Sequence, residues 1–390
     1  MPLATSFQFP EHIRFGHGTA STIGQLIRDR FWVNRILILT DAGVIRAGIL
    51  STVTNSLQAA TIAFDICDDV TPNPTDTYVE QKAALYRSDG HDLLIAVGGG
   101  SVIDAAKGIQ VRITHPGHIQ DYFEDGPSAR KIIPNMPRLV AIPTTAGTGS
   151  EVTAVAVLKD SRDGLKKGVY APCLRPSLAV VDPELTLSLP QDITAATGLD
   201  ALTHCIEAYV SKAYGPIGKA IALGGMELIF CALPVAYDIG SDIVARTDMA
   251  MGAVMGGLAF GSGLGLGAAH ALAHQLTAER QIPHGLANAL MLPTVMRFNA
   301  KTDPFPYQRI AQTIGAAKYG EDAIAAANGA IEAVRALCEQ VGIPASLKAA
   351  GVPESAIVKM AAQAMRDSCH RRNPRPCSER DMEALYRAAM

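Results

Sequence analysis

The chain has 390 residues, 48% of them hydrophobic and 18% charged, with 34 basic against 37 acidic residues and a formal net charge of −3. That length carries two domains of ordinary size, and that composition excludes a mainly disordered chain, which is apolar-poor and charge-rich. No basic excess drives sequence-independent phosphate binding, so nucleic acid is excluded as an expected partner.

Met1–Pro10 lacks the basic and apolar blocks of a secretory leader. Arg35–Thr40 (RILILT) then opens a series of short apolar β-rich runs, continued by Thr61–Cys67, Leu93–Val97, Leu139–Ile142 and Leu178–Val181. Helix-like stretches lie between them, among them Asp76–Ser88 and Val102–Val111. Strand, helix, strand at this spacing predicts a parallel sheet with crossover helices. Asp41 ends the first run. A carboxylate there lies near the ligand crevice of an α/β sheet, where it accepts hydrogen bonds from an adenosine ribose and repels a 2′-phosphate; the plain alternative is a turn or cap residue.

Val97–Lys107 reads VGGGSVIDAAK, a buried strand running into three glycines and a helix. Glycine lets the backbone approach a ligand closely, and the unpaired N–H groups of a helix start favour an anion such as a pyrophosphate. A second such loop, PTTAGTGSE at 143–151, adds the hydroxyls of Thr144, Thr145, Thr148 and Ser150. Neither loop contains the Gly-Lys-Ser/Thr of a P-loop ATPase. A formal GxGxxA at Gly263, Gly265 and Ala268 lies inside a helical stretch with no strand before it, which is the wrong context for a dinucleotide fingerprint.

After Pro190 strand signals nearly vanish. Ala- and Leu-rich segments at about 193–211, 216–233, 242–260, 266–278, 284–298, 304–315, 321–341 and 354–365 predict a helical second half. Ala250–Leu276 is apolar, yet its glycines, His270 and His274 make it a buried helix pair; no uninterrupted apolar run reaches the roughly 18 residues of a membrane helix. The seven cysteines, at 67, 173, 205, 231, 338, 369 and 377, form an odd set without a CxxC pair, as expected of a reduced cytoplasmic protein.

Asp200 and His204 are spaced i, i+4 and share a helix face, as do His270 and His274; His284 follows at a Pro-His-Gly turn. One carboxylate with several imidazoles suits a divalent first-row metal. Spacing alone does not choose the ligands among Asp200, His204, Glu207, His270, His274 and His284, and no HExxH of a zinc protease is present.

Taken together, FGHGT at 15–19, TPNPT at 71–75, GGGSVIDAAK at 98–107, PTTAGTGSEVT at 143–153, DPELT at 182–186, TAATGLDALTHCIEAYVS at 194–211, the histidine block and NPR at 373–375 resemble the iron-containing alcohol dehydrogenase family, group III, nearly end to end. The resemblance implies an α/β Rossmann-like N-terminal domain at 1–186 and an all-α metal-binding domain at 187–390, a fold similar to that of dehydroquinate synthase. It implies Asp200, His204, His270 and His284 as ligands of Fe²⁺, with Zn²⁺ as an alternative. It implies NAD contacts at Asp41, Asn73, Gly99, Gly100, Ser101, Asp104, Thr144, Thr145, Thr148, Thr153, Lys166 and Leu185. Asp200 and His270 then act in catalysis through the metal, and His274 serves as a proton relay.

The implied reaction is metal-assisted hydride transfer between a short alcohol and NAD, in a homodimer or larger homo-oligomer. The basic turn Cys369–Pro376 (CHRRNPRP) places Arg371 or Arg372 where a substrate carboxylate would sit, or else is merely solvated. A short primary alcohol, diol or 4-hydroxybutyrate-like acid is the expected substrate. The alternatives are a hydroxyacid–oxoacid transhydrogenase and a sugar-phosphate cyclase; the helical half lacks the Lys/Arg cluster that the second would need to hold phosphate.

Overall fold

The computed structural model describes residues 9–124 and 129–390. The chain forms two compact units: 9–145 with 150–188, and 146–149 with 189–390. The first is α/β. Six parallel strands, β1 (Ile13–Phe15), β2 (Arg35–Leu39), β3 (Ala63–Cys67), β4 (Leu93–Gly98), β5 (Arg138–Pro143) and β8 (Leu178–Val181), lie in the order β1-β8-β5-β4-β2-β3. β6 (Val155–Lys159) and β7 (Lys166–Tyr170) form a separate antiparallel hairpin.

The central strands read as unbroken apolar runs because both sheet faces are covered. Leu37, Leu39, Leu94, Ala96 and Leu139 pack on one face with α4 (Asp76–Ser88) and α5 (Gly100–Thr114). Ile36, Ile38, Ile95, Val97 and Val140 pack on the other with α1 (Ile23–Arg30), α2 (Ala42–Arg46) and α3 (Leu50–Ala59). The period of two along a strand decides which core each side chain joins. The sequence reading missed β1, α1–α3 and the hairpin, and otherwise placed these strands within two residues of their ends.

The second unit is helical. It holds α6 (Gln191–Val210), α7 (Pro216–Asp238), α8 (Ile243–Ala259), α9 (Ala268–Arg280), α10 (His284–Ala300), α11 (Phe305–Thr313), α12 (Ala323–Gln340), α13 (Ile357–Ala364) and α14 (Glu379–Ala388). α6 is buried nearly all round, the pattern of a central core helix. The formal fingerprint at Gly263 and Gly265 falls in the turn between α8 and α9, both glycines having positive φ. Two helices of the described residues, α7 and α8 with its following turn, are long and apolar enough to cross a membrane by length and hydropathy. Both contribute to the helical core, α7 through Met226, Ile229 and Leu233 and α8 through Met249 and Ala253. All seven cysteines are free thiols.

Candidate active site

In the helical unit three elements converge on one carboxylate. Asp200 and His204 project from the same face of α6. His270 stands in the first turn of α9, and His284 is the first residue of α10. Asp200 Oδ1 lies 3.7 Å from His204 Nε2, 3.7 Å from His270 Nε2 and 3.6 Å from His284 Nε2. The donor atoms of Asp200, His270 and His284 lie within 4.8 Å of one another, compact enough to share one cation. His204, the fourth expected ligand, stands outside that group of three and stacks on His270, ring centres 4.8 Å apart. Oxygen and imidazole nitrogen donors in this number fit a divalent first-row metal. Burial pushes the His204 imidazole down to about 4, which keeps it neutral and its lone pair available.

Glu207 is not at the convergence point. One turn beyond His204, its carboxylate accepts the backbone N–H of Gly267 (2.8 Å) and Ala269 (2.7 Å), capping α9, and the Nδ1–H of His270 (2.7 Å). Burial works against a charged His270, but the Glu207 carboxylate outweighs it and raises the imidazole's pKa. Nδ1 being the donor, Nε2 carries the lone pair toward Asp200.

His274, one turn after His270, donates Nδ1–H to Asp367 Oδ2 at 2.6 Å, and its ring stacks on that of His284 at 5.1 Å. Burial pulls the Asp367 carboxyl up, but His274 and the Cys369 backbone N–H hold it down at about 2. Sequence reading missed Asp367, which lies 93 residues from its partner. The NPR motif acts as a clasp: Asn373 exchanges hydrogen bonds with Asn299 of α10 and accepts from Ala268 N–H at the start of α9. Arg371 and Arg372 are exposed beside it.

In the α/β unit the glycine-rich turn lies at the carboxyl end of β4, with Gly99 as the N-cap of α5. A Cβ on Gly98 would stand 2.5 Å from Val102 and 3.3 Å from Asp41 Oδ2, so only glycine keeps this strand end open beside Asp41. Asp41 Oδ1 caps α2 through the N–H groups of Gly43 and Val44 at 2.7 and 3.0 Å. Asn73, held at φ +56°, donates its backbone N–H to Ser101 Oγ at 3.3 Å. Thr144 N–H pairs with Gly98 O, and the Thr145 side chain faces Gly99. Asp41, Asn73, Gly99, Gly100, Ser101, Thr144 and Thr145 thus share one end of the sheet.

Leu185, buried in the turn after β8, lies at this end too, and the remaining expected cofactor residues are placed differently. Asp104 is buried and accepts from Ser150 Oγ (3.0 Å) and Val157 N–H (3.1 Å), tying α5 to the loop and to β6. Thr153 is buried against Lys107, whose ammonium donates to the carbonyls of Thr153 (2.9 Å) and Val155 (2.8 Å). Lys166 opens β7, and Thr148 belongs to the segment that packs with the helical unit. Lys107 was another omission of the sequence reading.

Glu151 is buried at the end of the second loop, and desolvation pushes its carboxyl up to about 7. A carboxyl raised by folding binds its proton more tightly folded than unfolded, so stability falls as pH rises from about 4.5 to 7 and is level above. Glu151→Gln is expected to gain about 1–3 kcal/mol over wild type at pH 8 and nothing at pH 4.5. Thermal unfolding at the two pH values checks this, and an equal shift at both would refute it.

Comparisons with known proteins place the whole chain. The model described as "Iron-containing alcohol dehydrogenase" matches residues 10–183, and "Fe-containing alcohol dehydrogenase family, C-terminal" matches 194–390. The NAD-dependent methanol dehydrogenase of Bacillus methanolicus is 36% identical over 388 residues, covering 99% of this chain and 100% of the relative. The 4-hydroxybutyrate dehydrogenase of Cupriavidus necator is 37% identical over 387 residues, covering 97% and 98%. The crystal structure of a 1,3-propanediol oxidoreductase superposes with a TM-score of 0.94 at 36% identity, over 99% of this chain and 100% of the other. With both halves matched and the histidine ring in place, the chain belongs to the iron-containing alcohol dehydrogenase family.

Proposed function

We propose that this alcohol dehydrogenase interconverts a short primary alcohol, diol or ω-hydroxy acid with its aldehyde, through a divalent cation held by Asp200, His204, His270 and His284. The observation that carries the reading is the convergence of one carboxylate oxygen and three imidazole Nε2 atoms in a buried helical core. When bound, iron supplies Lewis-acid polarisation of the substrate oxygen, and NAD accepts the hydride from the carbinol carbon.

The chain's own groups divide the remaining work. Glu207 fixes the His270 tautomer, so Nε2 meets the cation without reorganisation. Asp367 does the same for His274, leaving its Nε2 as the acceptor for the hydroxyl proton. Gly99, Gly100 and Ser101 offer the N-terminus of α5 to a pyrophosphate. Asn73, Thr144 and Thr145 line the same end of the sheet, where Leu185 is a further candidate contact. Further candidate contacts are Asp104, which ties α5 to β6 through Val157; Thr153, whose carbonyl accepts from Lys107; and Lys166, which opens β7.

Asp41 turns Oδ2 toward the glycines, where it serves an adenosine ribose and repels a 2′-phosphate. Asp41→Gly is expected to raise kcat/KM with NADP at least tenfold relative to NAD, and to lose about 1 kcal/mol of stability with the α2 cap. The ratio of the two cofactors' kcat/KM values reads it, and an unchanged ratio would assign Asp41 to capping alone.

The exposed guanidinium groups of Arg371 and Arg372 favour an ω-hydroxy acid among short alcohols, because Arg pairs with carboxylate in two parallel hydrogen bonds. The seven free thiols support a reduced cytoplasmic enzyme, which we expect to be a homodimer or larger homo-oligomer. The deciding experiment is NAD reduction against ethanol, 1-butanol, 1,2- and 1,3-propanediol, 4-hydroxybutyrate and glycerol, on anaerobically stripped protein reloaded with Fe²⁺ or Zn²⁺. Cation-dependent turnover is expected, best with 4-hydroxybutyrate or 1,3-propanediol. No net NAD reduction, but exchange between a hydroxy acid and an oxo acid, would replace the dehydrogenase reading with a transhydrogenase.

A further inference from the structure

Asn288 lies one turn after His284 on the same face of α10 and is fully buried. Its Nδ2 stands 2.7 Å from Asp200 Oδ1, 3.1 Å from His270 Nε2 and 3.3 Å from His284 Nε2. These are the residues whose donor atoms lie close enough together to share a cation. The amide nitrogen therefore sits amid lone pairs, presenting partial positive charge to the point on which they converge.

Two features of this arrangement are costly. An amide NH₂ has two hydrogens and here faces three acceptors. Its Oδ1 is buried and has no hydrogen-bond partner among the described residues, a loss of hydration that nothing offsets. A divalent cation reverses what this point requires, since it takes lone pairs and repels an N–H donor. Half a turn about the Cβ–Cγ bond exchanges Nδ2 and Oδ1, which are nearly the same size, and so needs no repacking. With a cation bound, the same rotation brings the partnerless oxygen to it and turns the N–H donors away.

We infer that Asn288 is a further cation-binding residue, its amide turning so that Oδ1 takes the place of Nδ2 and faces the metal as a neutral oxygen ligand. The inference rests on the reading of Asp200, His270 and His284 as ligands. His284 and Asn288 then act as an i, i+4 pair on α10, as Asp200 and His204 do on α6. Both helices deliver two donors, and α9 delivers one.

Chelator-stripped wild type, Asn288→Leu and Asn288→Asp are titrated with Co²⁺, and the dissociation constants read from the visible absorption band and by calorimetry. Leucine keeps the volume and removes the oxygen; it is expected to weaken binding about 10–100-fold. Aspartate keeps the oxygen and is expected to bind at least as tightly as wild type. If the leucine protein does not fold, judged by circular dichroism, Asn288→Ala replaces it with the same expectation. Wild-type affinity in the leucine or alanine variant overturns the inference, as does an aspartate variant as weak as the leucine one. His270→Ala separates the two levels. If it binds Co²⁺ like wild type, the ligand reading itself fails; if it loses Co²⁺ while Asn288→Leu does not, only the role of Asn288 fails.

Discussion

Asp200→Asn is expected to lower kcat/KM for alcohol oxidation by about a thousandfold or more while leaving the fold intact. The shape of the side chain is kept, and an asparagine Oδ1 still accepts from Asn288 Nδ2, now 2.7 Å from Asp200. What is lost is the one negative charge at the point on which three histidines converge at 3.6–3.7 Å. With Glu207 spent on the cap of α9 and on His270 Nδ1, no second carboxylate takes over. A bound cation is worth several kcal/mol of transition-state charge stabilisation, and each 1.36 kcal/mol is about tenfold in rate. The check is NADH formation at saturating Fe²⁺ and Zn²⁺, with circular dichroism and thermal unfolding alongside. Activity within tenfold of wild type in a folded variant would remove Asp200 from the metal site.

How much of this was legible depends on the range of the interaction. β2, β4, β5 and β8 were readable because burial on both faces makes their sequences continuously apolar. β1 was not, being three residues long and largely exposed. The hairpin was not, because KKGVY carries two lysines and a glycine; it is held in part from outside, by the buried Lys107 ammonium on the carbonyls of Thr153 and Val155. Helix-face arithmetic likewise found Asp200 with His204 and His270 with His274, since those pairs are local. It could not show that Glu207 meets His270 or that Asp367 meets His274, at separations of 63 and 93 residues. Asn288 was within reach, at i+4 from His284, but asparagine is rarely counted among metal donors and so was passed over. Asp104 shows the same limit. The family resemblance implies a cofactor contact there, but spacing could not show that its two carboxylate oxygens accept hydrogen bonds from Ser150 and Val157, 46 and 53 residues away.

Gly285→Ala is the second large effect expected, and it reaches the metal site through the backbone. A Cβ on Gly285 would stand 2.0 Å from the Ala196 carbonyl oxygen and 2.6 Å from its carbon. Both atoms belong to the main chain of α6, so no rotamer change relieves the clash, and α10 must move away from α6. Ala196 lies one turn before Asp200, and Gly285 lies between His284 and Asn288. Separating the helices at this point therefore pulls His284 and Asn288 away from Asp200 together. The stability loss is expected at or above the upper end of the about 1–3 kcal/mol typical of overpacking. Co²⁺ affinity should fall about tenfold or more with it, as ligand orientation is lost. The two effects have separate readouts, thermal unfolding of the stripped protein and Co²⁺ titration well below the unfolding midpoint. A destabilised variant with wild-type affinity would mean that the clash is absorbed away from the site. Neither effect appearing would mean that α6 and α10 do not approach this closely, and the ligand geometry built on that approach would have to be redrawn.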